Sequence, residues 1–350
     1  MAAEPLFPGI ATGIGSLPHQ DMGEALDLVF KSLPDCPHWP QLQSLRYTEK
    51  MEVQPVEGLP GLRHLPEKKS VYVDTDAGQD ELAAFYEKAM AAEAGHALDE
   101  FSLSPDYAEG FHAFIKRLST LGKRLPLVKA QLIGPFSFGF TIKDQDGRAI
   151  IYHPVWGDVC MKQLALKSRW QLKRLKEQAD RVLFFLDEPM LSAYGSTAML
   201  TVSREEVITR LDQVIEPLRA EGAIVGMHCC GNTDWGLVME SKLDVLNFDA
   251  YNYGDSIAIY AREANRFLTR GGWLAAGIVP TAESIDGEDE KSLLAKLRGW
   301  IEEMDKAGVD GDLLSKRVII TPACGCGTLA RDRAEKIYRI LAYLQENYRA

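Results

Sequence analysis

The stretch Ala223-Ile224-Val225-Gly226-Met227-His228-Cys229-Cys230-Gly231 decides how this chain is read. An apolar run passes straight into a histidine and two cysteines, and a glycine ends it. A second stretch, Arg317-Val318-Ile319-Ile320-Thr321-Pro322-Ala323-Cys324-Gly325-Cys326-Gly327, repeats that grammar near the C-terminus. Short apolar runs without polar alternation read as strands covered on both faces, the habit of parallel sheets. His228 and Cys230 lie two apart, so on a strand they point the same way while Cys229 faces away. Thiolates and an imidazole gathered at strand ends suit zinc. The long gap between Cys230 and Cys324 fits a catalytic zinc better than a compact finger, whose ligands come in close pairs. Such a metal at an open pocket predicts an enzyme that activates a thiol.

Working outward, strand, turn and amphipathic helix alternate from about residue 125. Strands are expected at Leu127–Leu132, Val182–Leu186, Ala223–Met227, Val245–Phe248, Trp273–Ile278 and Val318–Ile320. Helices are expected at Asp158–Asp180, after the capping box Ser203-Arg204-Glu205-Glu206, and at Ile257–Leu268, Lys291–Ala307 and Arg331–Asn347. This alternation implies a parallel sheet. Gly15-Ser16, Gly134-Pro135, Asp187-Glu188-Pro189, His228/Cys230, Asp249 and Cys324 all follow strands, the end at which (β/α)8 barrels build their sites. The expected fold class is therefore α/β, a (β/α)8 TIM barrel, as a single domain over residues 1–350. A doubly wound open sheet would instead set the same motifs along one crevice. In the first third, Thr12–Pro18 reads as a strand end and turn, and Ser70–Val73 as a strand or hairpin arm. Residues 31–68, rich in proline and aromatics, read as an irregular insertion or loop excursion over the pocket.

Composition narrows the class. The chain has 350 residues, is 46% hydrophobic, and carries a formal charge of −11, from 39 basic and 50 acidic residues. That balance disfavours nucleic-acid and anionic-membrane partners. No stretch approaches the roughly 18 apolar residues of a membrane span. Met1-Ala2-Ala3-Glu4-Pro5 lacks the marks of a signal peptide, so a cytoplasmic location is expected. There, six cysteines favour a thiol or metal role over a disulfide framework.

His228, Cys230 and Cys324 are the candidate metal ligands. For the fourth, Asp249 at the end of Val245–Phe248 competes with Cys326, and Asp249 could equally be a helix cap or salt-bridge partner. Cys36 and Cys160 read as packing residues. Asp187 and Glu188 at a buried strand end need cations or donors; a substrate ammonium would serve, as would an internal arginine. Gly15-Ser16 could offer backbone groups to a substrate carboxylate. His19, His38, His64, His96, His112 and His153 fall in no constellation.

Taken in order, Ile14-Gly15-Ser16-Leu17-Pro18, Ile133-Gly134-Pro135, Leu186-Asp187-Glu188-Pro189, His228-Cys229-Cys230 and Thr321-Pro322-Ala323-Cys324-Gly325 resemble a known family over nearly the whole chain. It is the C-terminal catalytic domain of cobalamin-independent methionine synthase, in the barrel superfamily that includes uroporphyrinogen decarboxylase. The resemblance implies a zinc-dependent barrel that methylates homocysteine, with zinc held by His228, Cys230, Cys324 and, in place of the family's glutamate, Asp249. It also implies that Ile14, Gly15 and Ser16 hold the homocysteine backbone and that Asp187 binds its amino group. The chain departs from the family in being long enough for only one barrel. Gly134–Thr141 lacks the family's folate-site tryptophan. Pro280-Thr281-Ala282-Glu283 lacks the histidine that protonates a folate leaving group. An amine leaving group needs a proton and a corrinoid cobalt does not, so a methyl-corrinoid donor, carried on a corrinoid protein, is favoured over methyl-tetrahydrofolate. The rivals are a decarboxylase like the porphyrinogen relative, which would not need the thiols, and a non-catalytic zinc-binding or corrinoid-handling module.

Overall fold

The computed structural model describes residues 6–196, 199 and 202–348; the Met1–Pro5 segment read above for a leader lies outside them. Its strands are β1 (Ile10–Ala11), β2 (Leu62–Leu65), β3 (Ser70–Val73), β4 (Leu125–Ile133), β5 (Ala179–Asp187), β6 (Ile224–Cys229), β7 (Val245–Phe248), β8 (Trp273–Val279) and β9 (Val318–Pro322). Seven of them form one parallel sheet in the order β1-β9-β8-β7-β6-β5-β4.

Residues 37–41 close the ring. Gln41 N donates to Gly15 O at 3.1 Å and Leu17 N to Gln41 O at 3.0 Å, while on the other side Lys129 N donates to Pro37 O at 2.8 Å. Parallel bridges Ser16↔Gln41 and His38↔Lys129 mark the same closure. This segment joins the seven strands as the eighth stave, and the molecule is a (β/α)8 barrel, not an open doubly wound sheet. The excursion over the pocket starts after the stave, from Leu42 onward, and includes the antiparallel β2–β3 hairpin.

Helices cover the outside of the ring. The helix expected from Asp158 begins earlier, at Pro154, where proline is accepted in the first turn, and ends at Lys176. Arg204–Ala220 buries Val207, Leu211, Val214 and Leu218, the face its periodicity marks. Ser203 Oγ accepts from Glu206 N at 3.1 Å, but the return half of the capping box is not made, because the Glu206 carboxylate pairs with Arg210 at 2.8 Å. The stretch read as one helix over Ile257–Leu268 is a 3-10 segment, Gly254–Tyr260, followed by an α-helix, Ala261–Thr269. Among the described residues no helix is long and apolar enough to cross a membrane.

The barrel interior changes character along its axis. Its floor is an apolar plug including Ile10, Leu127, Leu183, Phe185, Ile224, Val245, Trp273 and Ile319. A Cβ on Gly226 would lie 2.4 Å from the Phe185 ring, so glycine there makes room for that ring. Alternation along the strands then carries the inward positions to Lys129 and Gln131 on β4, Asp187 on β5, His228 on β6, Asn247 on β7 and Thr321 on β9, all buried. The strands thus end in a polar layer at their C-terminal rim.

Candidate functional site

Three neighbouring strands set the centre of this layer at one height, because Asp187 is in register with His228 and His228 with Asn247. Just beyond β6, Cys230 comes round to the same side, and the turn after β9 brings Cys324 to it. The ligand atoms of His228, Cys230 and Cys324 all lie within 4.8 Å of one another, so the structure brings these candidates together. His228 Nδ1 faces Asn247 Oδ1. The Asn247 amide cannot turn freely, since its Nδ2 donates to Ala275 O at 2.8 Å and to Thr321 Oγ1 at 2.7 Å. The imidazole therefore donates from Nδ1 and presents the bare lone pair of Nε2, a buried atom without a hydrogen-bond partner. The Cys324 thiol and the His228 ring stabilise the Cys230 thiolate and hold that group well below the usual thiol range. Cys324 is driven upward by the adjoining Cys230 thiolate and by burial. Burial pulls His228 down, but Cys230 and Asp187 outweigh it and leave it raised.

Asp187 is buried beside this trio, and its Oδ1 has no partner. Burial pushes it up to about 6, against the pull of Lys129 and His228. The internal cation is thus a lysine, not an arginine. Lys129 Nζ donates to Ile14 O and, at 3.1 Å, to Gln131 Oε1, and sits 4.8 Å from the centre of the Phe185 ring. Burial brings Lys129 down to about 8, with Asp187 resisting.

Glu188 turns away from the pocket. Its two oxygens accept from Phe136 N at 2.8 Å and Ser137 N at 2.7 Å, capping the short helix Pro135–Thr141. The Cβ of any other residue at Gly134 would lie 2.3 Å from the Glu188 carboxylate, which accounts for the Gly134-Pro135 turn.

A cavity of about 220 Å³ opens over these groups, lined by Ile14, Ser16, Asp187, His228, Cys230 and Cys324, with Gln43, Glu49, Met51 and Glu52 from the overhanging loop. Gly15 lies behind this wall at φ +153°, where a Cβ would come 2.7 Å from both Gln131 Nε2 and Gln41 Oε1. Ser16 fastens the Cys324 turn: Cys326 N donates to Ser16 O at 2.9 Å and Gly327 N to Ser16 Oγ at 3.1 Å.

Asp249 is not part of the cluster. Its Oδ1 accepts from Asn252 N at 2.9 Å and its Oδ2 from Asn252 Nδ2 at 2.6 Å, so it caps the turn Ala250–Tyr253. Strand β7 stops at Phe248, and the alternation that would aim Asp249 inward stops with it. Cys326 also stays apart, buried in the outer core, where burial raises it to about 12. Cys36, Cys160 and Cys229 are likewise buried and raised to about 12. Sequence reading passed over Lys129, Gln131 and Asn247. Their signal was present: polar residues inside otherwise apolar strands must find buried partners.

No protein-family profile and no curated protein sequence matches the chain. Solved structures do. A methyltransferase from Methanosarcina mazei superposes with a TM-score of 0.56 at 10% identity, over 99% of this chain and 96% of that one. A B12-independent methionine synthase from Shewanella sp. W3-18-1, in complex with selenomethionine, gives a TM-score of 0.46 at 16% identity. That match covers 67% of this chain and 66% of the synthase chain. The near-complete overlay on the first shows a shared fold.

Proposed function

We propose that this protein is a zinc-dependent methyltransferase that methylates a thiol, with homocysteine as acceptor and a methyl-corrinoid, carried on a corrinoid protein, as donor. The observation that carries the reading is the convergence of His228 Nε2, Cys230 and Cys324 on one pocket. The donor set fits zinc: two soft sulfurs, and a buried imidazole nitrogen with nothing else to bond. Three protein ligands leave a coordination position for a substrate, the pattern of catalytic zinc. Zinc held there supplies Lewis acidity, which favours the ionised form of a coordinated thiol near neutral pH.

The chain's own residues do the rest. Asp187 Oδ1, unpartnered at the pocket wall, accepts the acceptor's ammonium group. Lys129 beneath it keeps compensating charge at hand and occupies the Ile14 carbonyl. The loop bearing Glu49, Met51 and Glu52 restricts water above the thiol, and fixed orientation contributes much of the rate. His228 is the only histidine among the described pocket residues and it faces the thiols, so a leaving group that needs no proton suits the pocket.

The test is zinc-loaded protein with homocysteine and methylcobalamin, following cobalamin absorbance and methionine together. Methionine formed in step with demethylated cobalamin is the expected result. Protein that binds no zinc, or zinc-loaded protein that methylates no thiol from any corrinoid or folate donor, overturns the reading.

A further inference from the structure

At the opposite end of the barrel from the thiols, a second cavity of about 580 Å³ opens where the strands begin. We infer that it is a binding site for a phosphate-bearing organic anion. Three arginines converge on it from different parts of the ring: Arg181 on β5, Arg219 at the end of the helix before β6, and Arg317 just ahead of β9. One carboxylate, Asp244, lines the same cavity.

The partners are unevenly shared. Arg219 Nη2 lies 3.1 Å from Asp244 Oδ1, and the other Asp244 oxygen is taken by Val225 N at 3.0 Å. Arg317 gives one N–H to Gly271 O at 3.1 Å and lies 5.8 Å from the centre of the Trp273 ring. The Arg181 side chain has no ion pair or hydrogen bond among the described residues. Three guanidiniums against one carboxylate, both of whose oxygens already have partners, leave two positive charges facing one concavity, in a chain whose net charge is −11.

Guanidinium groups are the side chains best matched to phosphate, because their N–H pairs meet two oxygens at once. Trp273 and Ile224 form an apolar wall beside the arginines. Charge on one side and an aromatic ring on the other select an anion attached to a flat or apolar body, the usual balance of a small-molecule pocket.

Isothermal titration calorimetry tests it with inorganic pyrophosphate and ADP as probes, on the full chain at about 0.15 M salt. Saturable binding of ADP, at least tenfold tighter than pyrophosphate, is the expected result, with a tenfold or larger loss in both Arg181→Ala and Arg317→Ala. Arg181→Ala is the decisive variant, since that side chain has no hydrogen bond or ion pair among the described residues to lose. No saturable binding at millimolar ADP overturns the site. So does binding that Arg181→Ala leaves unchanged, or pyrophosphate binding as well as ADP, which would reduce the cavity to a nonspecific patch of charge.

Discussion

The Nδ1 of His228 meets Oδ1 of Asn247, its register partner across the β6–β7 ladder. Two further hydrogen bonds, to Ala275 O and Thr321 Oγ1, hold that amide in the orientation that accepts. A chain of contacts across four strands thus fixes one ring tautomer and leaves Nε2 bare in the pocket. Residues behind a metal-binding histidine commonly do this, setting both the ring's direction and its basicity.

Replacing Asn247 with alanine is therefore expected to weaken zinc by about 10–100-fold, read by competition with a chromophoric chelator. The same change strands Thr321 Oγ1 and the Ala275 carbonyl and costs about 1–3 kcal/mol of stability. Unchanged metal affinity in a folded Asn247→Ala protein would show that the imidazole needs no such support.

Cys230→Ser and Asp249→Ala separate the ligands from their neighbour. Loss of Cys230 removes a soft donor, so zinc retention and methyl transfer should fall together, by more than the roughly 100-fold upper end seen for supporting residues. Asp249→Ala removes a cap bonded twice to Asn252 and should cost about 1 kcal/mol while zinc content stays at the wild-type level. Metal analysis of the two purified variants decides it. Loss of zinc from Asp249→Ala would place that carboxylate on the metal after all.

The staves β5 to β9 were legible because parallel strands buried on both faces leave uninterrupted apolar runs, and the spacing of His228 and Cys230 survives in the structure as a shared direction. The stave at 37–41 was not legible. Pro37 and Pro40 within it lack an N–H, so its ladder is thin and its pattern resembles a loop. Between the two readings of Asp249, alternation does not decide, because β7 ends at Phe248 and the chain already turns into the cap that Asp249 makes. The links from Lys129 to Ile14 and from Asn247 to Thr321 span 115 and 74 residues, a closeness that only the closed ring creates.

Lys129 gives the protein a pH signature. Burial holds it at about 8 in the folded chain, below its ordinary value of 10.5. Between those values the unfolded chain holds the proton that the folded chain has released, so stability rises with pH across this window, by about 3 kcal/mol in total. Lys129→Met lacks the titration and should lack the rise. Urea unfolding at pH 8, 9 and 10 on both proteins measures the difference between their curves. Parallel curves would mean that the lysine keeps its proton throughout, stabilised by Asp187.

Gly134 and Glu188 make the last prediction, one of packing. Glu188 is fully buried and pushed up to about 7 by burial, yet Phe136 N and Ser137 N both donate to it, tying the end of β5 to the helix after β4. A methyl group at Gly134 would fall 2.3 Å from Glu188 Oε1, on a carboxylate held in place by the Phe136 and Ser137 N–H groups. In Gly134→Ala the carboxylate must leave one or both N–H groups, combining overpacking with buried donors left bare. The expected loss is about 1–3 kcal/mol by chemical denaturation. Because Asp187 precedes Glu188, the displacement should also reach the pocket, raising KM for the amino-bearing thiol more than it lowers kcat. A Gly134→Ala protein with wild-type stability and KM would mean that the β5 end can shift without cost and without moving Asp187.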